Sequence, residues 1–519
     1  MAQMSPPPSD SRTKRSGRRR NPSAVSSQRV VDYRNLKNPF PTISLFSDDR
    51  IEAMHHAALE LLEADGIKVL LAEARQIYKQ AGARVDEDSQ MVYLGGELIE
   101  QALSTAPKQI LCKAGHPSRD LTLELGRLCF QPGAGAPHAT DCERGRRPGS
   151  ADDFAELVKI CQHFDVLHMM PPIIEPQDIP PHLRHYFTMQ TQLYASDKLP
   201  HIFSRGRAQV LDGFEMLKTA RGLSDEEFTA SSHCYSIINT NSPRVLDSAM
   251  AEGLIDCARF GQMTVVTPFT LMGAMAPITV AGALTLSHAE ALAAITLTQL
   301  TSAGAPVCYG TFTSNVDMKS GAPAFGTPEH FKASIVAGQL ARLIGLPWRN
   351  ATGSAANIND VQAAQETQFG LWGTLLSGST MIIHAAGWLE GGLTVSYEKL
   401  ITDLELLQMT AELCADTPSD DDAIGLDAIR EVGTGGHFFA AGHTMDRYQT
   451  AFYEPFISDW SNFGSWTEKG SRTATQRATD IWKQIISEEQ DCFLEAGFYD
   501  EVESFVSRRS AEGGAPPLS

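Results

Sequence analysis

Apolar residues first recur with helical spacing between residues 47 and 66, in "SDDRIEAMHHAALELLEADG". Ser47 is a suitable N-cap, and Gly66 suits the residue that ends a helix. The apolar positions on one face are Ile51, Met54, Ala58, Leu61 and Leu62. A second helical pattern covers 72–82, and short alternating segments follow it. This order predicts a small N-terminal α+β subdomain over residues 41–145.

Beyond Ser150, apolar runs typical of buried strands alternate with helical stretches. The runs are 166–174, 201–205, 233–239, 263–269, 305–312, 347–353 and 380–387, and 127–131 supplies an eighth. Helix-start patterns such as "SDEE" (224–227) and "SHAE" (287–290) stand between them. The alternation predicts an α/β fold, a TIM-like (β/α)8 barrel over residues 146–519 with C-terminal helices. A doubly wound open sheet is the competing architecture, but "GAGAPH" (133–138) does not fit its G-x-G-x-x-G fingerprint.

Composition and charge narrow the class of protein. The chain has 519 residues, 42% of them hydrophobic and 20% charged, and its formal net charge is −19. This acidic balance argues against nucleic acid or an anionic membrane surface as a partner. No apolar run approaches the roughly 18–20 residues of a membrane span without a break. The nine cysteines form no C-x-x-C pair, which suits reduced thiols and a cytoplasmic location.

The N-terminal segment differs in composition from the rest of the chain. "SRTKRSGRRRNPS" (11–23) is rich in Ser and Arg and contains no acidic residue. It also lacks the apolar positions that would give a transit peptide its amphipathic helix. We therefore expect residues 1–40 to be a disordered basic tail rather than a mitochondrial transit peptide.

Functional residues of a barrel lie at the carboxyl ends of its strands. Here those ends offer aromatic and amide side chains, but no Lys for a Schiff base, no G-x-S-x-G elbow and no recognised metal-ligand spacing. An aromatic mouth suits a quaternary ammonium, which cannot donate hydrogen bonds and is held by cation–π attraction. Core packing is the alternative for each aromatic. The candidate substrate-binding residues are Trp388, His384, Phe312, Tyr309 and Asn239.

Several long stretches resemble the trimethylamine methyltransferase family: "VDMKSGAPAFGTPE" (316–329), "LARLIGLPWR" (340–349) and "SGSTMIIHAAGWLEGGLTVSYEKLITDLE" (377–405). The resemblance implies a TIM-like barrel that moves a methyl group from a methylamine to the cobalt of a corrinoid carried by a separate protein. This chain would then bind no cofactor or metal of its own. We also expect it to form a homo-oligomer.

Founding members of that family carry pyrrolysine, in the segment that matches 352–360, where this chain has "TGSAANIND". Trimethylamine needs protonation or an electrophilic helper before it can leave, whereas a quaternary ammonium leaves as a neutral tertiary amine. The resemblance therefore implies the pyrrolysine-free branch, with glycine betaine or a related betaine as methyl donor. Two alternatives stay open: a trimethylamine enzyme that works without pyrrolysine, and a non-catalytic regulator that binds a betaine or a corrinoid.

The remaining candidate residues follow from this chemistry. An acid at the nitrogen could be supplied by Glu329, Asp360 or Glu366, although Asp360 is also a suitable N-cap. The guanidinium fork that matches a betaine carboxylate is offered by Arg205 and Arg349. The residues expected to face the corrinoid are Gly391, Gly392 and Asn315.

Overall fold

The computed structural model describes residues 31–518. The fold is mixed α/β, and its centre consists of strands that are each followed along the chain by a long helix. The strands are β1 (Arg127–Phe130), β2 (Met169–Met170), β3 (Leu199–Pro200), β4 (Tyr235–Ile238), β5 (Met263–Val266), β6 (Val307–Gly310), β7 (Trp348–Ala351) and β8 (Met381–Ile383). The helices are α1 (Ala151–His163), α2 (Pro181–Ala195), α3 (Arg207–Arg221), α4 (Ser248–Arg259), α5 (Val280–Thr301), α6 (Pro328–Ile344), α7 (Val361–Leu376) and α8 (Tyr397–Leu413).

Six of these strands form one parallel sheet in the order β1-β8-β7-β6-β5-β4. β2 and β3 pair with each other in a separate parallel sheet. Single backbone hydrogen bonds connect the two sheets: the N–H of His168 donates to the carbonyl of Phe130 at 3.0 Å, and the N–H of Ile202 to that of Tyr235 at 3.0 Å. The predicted alternation of strand and helix is therefore present.

The strands are apolar on both faces, as buried parallel strands are. One cluster of buried side chains draws on every one of them: Cys129, Met169, Leu199, Tyr235, Val265, Cys308, Ala351 and Ile383. Neighbouring residues such as Val266, Tyr309 and Trp348 instead pack among side chains of α5 and α6. Because successive side chains point to opposite faces of a strand, these two sets define an inner and an outer side.

Helix α5 corrects one expectation. It has 22 residues, and its most apolar 18-residue window has a mean hydropathy of 1.4, so by length and composition it could cross a membrane. Pro277 lies before the helix, which begins at Val280, and Gly282 lies within its first turn. Of its most apolar window, 78% is buried inside the protein. A helix that is apolar all round suits the core of a large protein, and α5 lies there.

Residues 41–145 contain the predicted helices and short strands. The helices run Asp48–Ala64, Ala72–Gln80 and Gly96–Thr105. The strands Ile67–Val69, Arg84–Asp86 and Met91–Tyr93 share a sheet with Val245–Leu246, which directly precedes α4. β1 also lies within this range. The predicted boundary at 145 therefore cuts through the central sheet, because the first strand of that sheet precedes it.

Of the predicted tail 1–40, residues 31–40 fall in the described part. Leu36–Lys37 forms a strand antiparallel to β1, and Arg34 pairs with Asp165 at 2.8 Å. The expectation of disorder is wrong for these residues, because backbone hydrogen bonds attach them to the sheet. Residues 1–30 lie outside the described residues.

Other elements surround this centre. The paired short strands are Ile110–Cys112 with Leu121–Leu123, His138–Thr140 with Arg147–Pro148, Asn315–Val316 with Pro323–Ala324, and Trp388–Leu389 with Thr394–Ser396. The additional helices are Asp225–Thr229, Asp421–Ile424, Leu426–Val432, Gly442–Met445, Phe463–Glu468, Ala474–Ser487 and Ala496–Ala511, with 3-10 turns at Pro117–Arg119 and Glu390–Gly392. Trp482 packs on Tyr397 of α8 with ring centroids 5.0 Å apart. The C-terminal helices thus cover the outside of the fold.

Candidate functional site

Five aromatic side chains meet where β5, β6 and β8 end. Phe269 follows β5, Phe312 follows β6, His384 and Trp388 follow β8, and Phe325 comes from the hairpin before α6. The ring of Phe312 lies 4.9 Å from Phe269, 5.3 Å from Phe325, 5.5 Å from His384 and 6.0 Å from Trp388, between centroids. We call these five residues the aromatic cluster. It lies at the carboxyl ends of parallel strands, where α/β folds bind ligands.

The indole of Trp388 fits among three glycines. A Cβ atom at Gly133 would lie 2.3 Å from its Cδ1 atom, one at Gly392 2.9 Å from Cη2, and one at Gly353 3.4 Å from Cε3. A side chain at 133 or 392 would therefore collide with the ring. The indole Nε1 is buried and has no hydrogen-bond partner among residues 31–518. The glycines of "GAGAPH" and "EGG" thus have a packing role around Trp388.

His384 has a left-handed backbone conformation, with φ of 54°. Its carbonyl accepts a hydrogen bond from the Thr352 hydroxyl at 3.0 Å, and the N–H of the next residue donates to the Gln131 carbonyl at 2.9 Å. The imidazole stacks on Trp388 with centroids 3.5 Å apart. Burial, together with the charge of Arg349, holds the pKa of His384 well below its usual value. The imidazole is therefore neutral at pH 7, and its strained backbone is of the kind found at functional sites.

Arg349 alternates with the outward-facing Trp348, so its side chain lies on the inner side of β7. It is 1% exposed. Its Nη1 donates to the carbonyl of Thr311 at 2.7 Å, and its Cζ atom lies 5.1 Å from the Phe312 ring centroid. Its Nε finds no partner in the described part of the chain, and none of the salt bridges there includes it. Burial lowers the pKa of Arg349 to about 9, so the guanidinium stays charged at pH 7 without a counter-ion, an arrangement that an incoming carboxylate would relieve.

Further buried polar atoms lie near these strand ends. Gln131 Nε2, His201 Nδ1 and Asn350 Nδ2 have no partner within residues 31–518, while Gln131 Oε1 accepts from the Tyr235 hydroxyl at 2.8 Å. Gln131 and the two cluster members Phe269 and Phe325 are not among the residues predicted from the sequence. Their positions in the sequence were the only available signal. Gln131 and Phe269 stand at the ends of apolar runs, and the hairpin before α6 brings Phe325 to the site. In the same range of residues no group of three His, Cys, Asp or Glu is placed to hold a metal ion.

The sequence model of the trimethylamine methyltransferase family (MTTB) matches residues 12–514. The chain belongs to this family. It is therefore a methyltransferase, as the motifs around "HAAGWLEGGL" indicated.

Two relatives are similar over nearly their full length. A glycine betaine methyltransferase of Desulfitobacterium hafniense (strain Y51) is 29% identical over 476 residues, which cover 91% of this chain and 98% of that protein. The trimethylamine methyltransferase MttB of Desulfitobacterium hafniense (strain DSM 10664 / DCB-2) is 29% identical over 435 residues, covering 83% and 87%. Among solved structures, the hydroxylamine complex of MtmB covers 90% of this chain and 96% of that chain, at 10% identity and a TM-score of 0.47, a likeness too distant to bear on the site.

For a methyltransferase of this family, the placement of carboxylates matters. Asp360 is the N-cap of α7 and accepts the N–H of Gln362 at 2.9 Å. Glu366 accepts the Ser354 hydroxyl at 2.7 Å and two backbone N–H groups of the following residues at 2.8 and 3.1 Å. Glu329 lies half-buried in the first turn of α6 without a hydrogen bond in the described chain. No hydrogen bond among residues 31–518 connects these three carboxylates to the aromatic cluster, so their predicted role as catalytic acids gains no support.

Tyr309 is on the wrong side of β6 for a substrate-binding residue. Its hydroxyl lies 3.0 Å from Nδ1 of His288 on α5, and its ring is buried among the helices. The prediction failed because side chains alternate along a strand: Cys308 points inward, Tyr309 outward, and Phe312, beyond the strand, reaches the cluster.

The two arginines predicted to bind the carboxylate of a betaine, Arg205 and Arg349, differ in their surroundings. The Arg205 side chain is 44% exposed and forms a salt bridge with Glu175, which also pairs with Arg184 at 2.8 Å. Arg349 is buried and has no carboxylate partner in the described structure. Asn239, the other polar candidate, lies half-buried just after β4. Arg349 is therefore the stronger anion partner.

The residues expected to face the corrinoid lie on loops beyond the cluster. Gly391 and Gly392 have φ of 64° and 101°, values that favour glycine. Asn315 accepts the Thr327 hydroxyl at 2.7 Å. Because Gly392 also lies against Trp388, a bulky residue there would disturb the cluster as well as any docking surface. The corrinoid-facing role of these three residues stays a prediction.

Proposed function

We propose that this methyltransferase removes a methyl group from a betaine, a quaternary ammonium that also carries a carboxylate, and transfers it to the Co(I) of a corrinoid held by a separate protein. The observation that carries the proposal is the buried guanidinium of Arg349 beside the aromatic cluster, which has no carboxylate partner within residues 31–518 and whose Nε makes no hydrogen bond there. The similarity to a glycine betaine methyltransferase supports it, and glycine betaine is the smallest donor of this class.

The ammonium is expected at the aromatic cluster. Ring faces attract a cation by about 0.5–2 kcal/mol each within about 6 Å. A protonated imidazole would repel the ammonium, and the lowered pKa of His384 removes that repulsion. Because His384 covers one face of Trp388, the cation is expected at the opposite face or at the rings of Phe312 and Phe325.

The carboxylate of the donor is expected at Arg349. A charged hydrogen-bonding pair in a buried site both strengthens binding and discriminates against donors without the anion. The 5.1 Å between Arg349 Cζ and the Phe312 centroid places the anion partner next to the cation partner. Such an arrangement fits a small zwitterion better than trimethylamine or choline.

The methyl step itself asks little of protein acids. The corrinoid supplies a strong nucleophile, and the donor leaves as a neutral tertiary amine. The chain's own residues then desolvate the donor and hold its methyl group towards the acceptor. Asp360 and Glu366 are engaged in a helix cap and a loop contact, which favours a betaine over trimethylamine, the donor that would need an acid.

The methyl acceptor is expected to approach the loops at the strand ends. A corrin ring is too large to share a pocket of about 300–1,000 Å³ with a donor. The loops 314–321, 350–359 and 391–393 border the aromatic cluster and carry exposed apolar side chains: Met318 is 67% exposed, Ile358 64% and Leu393 54%. An apolar rim of this kind suits a protein partner.

We also infer that the eight strands close into a TIM-like barrel. One buried cluster combines inner side chains of all of them. Hydrogen bonds from His168 to Phe130 and from Ile202 to Tyr235 connect the β2–β3 pair to β1 on one side and β4 on the other. The order of strands around such a barrel would follow the chain.

The expected homo-oligomer also stays a proposal. The segment 438–463 exposes Phe439 by 84%, Phe452 by 79%, Trp460 by 69% and Phe463 by 79%. Large exposed apolar side chains are typical of protein interfaces. Light scattering of the purified protein measures the state directly. A cytoplasmic location likewise remains an expectation.

An assay with cob(I)alamin tests the proposed function. Glycine betaine, choline and trimethylamine are offered in turn, and methyl transfer is followed by the loss of Co(I) absorbance. We expect transfer from glycine betaine and little from trimethylamine at neutral pH. Comparable transfer from trimethylamine would refute the betaine assignment. A betaine could also bind tightly without any methyl transfer, even when the cognate corrinoid protein is the acceptor. That result would favour the alternative of a non-catalytic regulator.

A further inference from the structure

A buried ion pair lies directly behind the aromatic cluster. Lys399 and Asp403 stand one turn apart on α8, with Nζ and Oδ1 2.9 Å apart and side chains only 1% and 4% exposed. The other carboxylate oxygen of Asp403 accepts the N–H of Gly387 at 2.9 Å. Lys399 Nζ also donates to the Thr367 hydroxyl on α7 at 2.8 Å. The pair thus joins two helices to the turn between His384 and Trp388.

Stability alone does not account for a buried pair at this place. Taking two charges out of water is costly, and apolar replacements of such pairs are often neutral or stabilising. Two apolar side chains at 399 and 403 could not, however, accept a hydrogen bond from the N–H of Gly387. That N–H is buried, and an unsatisfied buried donor is itself unfavourable. What the pair provides is a fixed acceptor at one defined point of the turn.

The backbone conformation at Gly387 controls the geometry of the aromatic cluster. Gly387 has φ of 90°, a conformation that favours glycine, and its carbonyl accepts the N–H of Ser396, the N-cap of α8, at 2.9 Å. The turn therefore contacts α8 through both its N–H and its carbonyl. Within the five residues from 384 to 388 the chain reverses so that His384 stacks on Trp388 at 3.5 Å between centroids.

We propose that Asp403, oriented by Lys399, is a positioning residue for the substrate site. Its bond to Gly387 sets the turn that brings His384 onto Trp388, and thereby the place where the ammonium is held. Neither residue touches the cluster rings through a hydrogen bond, so they act through the turn. The proposal rests on the proposed function in so far as the cluster binds a quaternary ammonium.

Two matched double variants test the proposal. Lys399→Met/Asp403→Asn removes both charges but keeps an amide oxygen that can accept the Gly387 N–H. Lys399→Met/Asp403→Leu removes both charges and the acceptor. Both are examined by thermal melting and by calorimetric titration with glycine betaine, and their KM and kcat for methyl transfer are measured.

We expect the Asn variant to bind glycine betaine within about threefold of the unchanged protein. The Leu variant should bind it at least about tenfold more weakly. Its kcat should fall as well, since displacements of about 1 Å in a site cost up to about 10²-fold in rate. Both should contain fully folded protein at the titration temperature. Equal affinity of the two variants overturns the proposal, and so does an affinity loss in the Leu variant that is accounted for by its unfolded fraction.

Failure of the proposed function is distinguishable from failure of this inference. If the unchanged protein binds no quaternary ammonium, including tetramethylammonium, the function assignment fails. Crystal structures of the two double variants then decide the positioning role. A His384–Trp388 stack kept in the Asn variant and lost in the Leu variant supports it, whereas a stack kept in both overturns it.

Discussion

Replacing Arg349 with Met should remove the preference for a carboxylate while leaving the fold and the ammonium site in place. The fall of the Arg349 pKa to about 9 from 12.5 corresponds to a penalty of about 5 kcal/mol on the charged form. The hydrogen bond to Thr311, worth about 1.5–3 kcal/mol, and the contact with the Phe312 ring offset only part of the cost of burial. For a base with a lowered folded pKa this penalty is fully present below pH 9 and relieved as pH rises further. At pH 7 the Met variant should therefore be at least as stable as the parent protein.

The effect on binding is opposite and selective. Removing one partner of a buried charge pair costs about 2–5 kcal/mol, which is about 30-fold to several thousand-fold in Kd. Calorimetric titrations with glycine betaine and with choline, which lacks the carboxylate, measure the selectivity. We expect Arg349→Met to weaken the binding of glycine betaine and to leave the affinity for choline within about threefold of that of the parent protein. Arg205→Met, at an exposed and paired guanidinium, is the matched control and should change neither.

Two results would refute this reasoning. If Arg349→Met weakens both ligands equally, the guanidinium supports the cluster rather than the anion. If glycine betaine binds unchanged, the carboxylate lies elsewhere and Arg349 has only a structural role. A sharp loss of melting temperature would contradict the stability prediction, because the contacts of Arg349 with Thr311 and Phe312 would then outweigh the cost of its burial.

Three further predictions concern the same region. Trp388→Leu should weaken the binding of glycine betaine and of choline alike by about 1–2 kcal/mol, and Trp388→Phe should weaken it by less. Equal losses in the Leu and Phe variants would mean that the ring face is not used. Glu366→Gln should lower the free energy of unfolding by about 1–2 kcal/mol through its loop contacts with methyl transfer nearly intact; a loss of about 10²-fold or more in kcat in folded protein would make Glu366 an acid–base residue after all. Burial lowers the pKa of His168, His201 and His288 to about 3 and that of His330 to about 4. Because the unfolded chain takes up these protons first, the free energy of unfolding should fall as pH drops from about 6.5 to 5, and equal urea midpoints at pH 8 and pH 5 would contradict this.

The sequence predicted several helix ends correctly, although "SHAE" (287–290) lies inside α5 and not at its start. Ser47 occupies the N-cap position of the first long helix, Asp48–Ala64, although its side chain makes no capping hydrogen bond, and Gly66 follows the end of that helix. Asp360 caps α7 as its position suggested. Capping and helical periodicity depend on neighbours in the chain. These features could therefore be identified without knowing what packs against them.

Side-chain orientation was not predictable in the same way. In buried parallel strands both faces are apolar, so the pattern does not show which residues point inward. Tyr309 and Arg349 looked equally suitable, yet one faces α5 and the other the inner side. Phe325 and Gln131 reach the site through a hairpin and a neighbouring strand. Their contribution depends on contacts between distant segments, which one sequence does not show.

The glycines around Trp388 also constrain how this sequence can change. Gly133, Gly353 and Gly392 come from three distant segments, yet a Cβ atom at each would contact the same indole. An alanine at 133 or 392 is acceptable only if residue 388 becomes smaller at the same time. These positions are therefore coupled: a side chain at 133 or 392 collides with the tryptophan, and a smaller residue at 388 would open position 133. Position 392 would still favour glycine, because its φ is 101°.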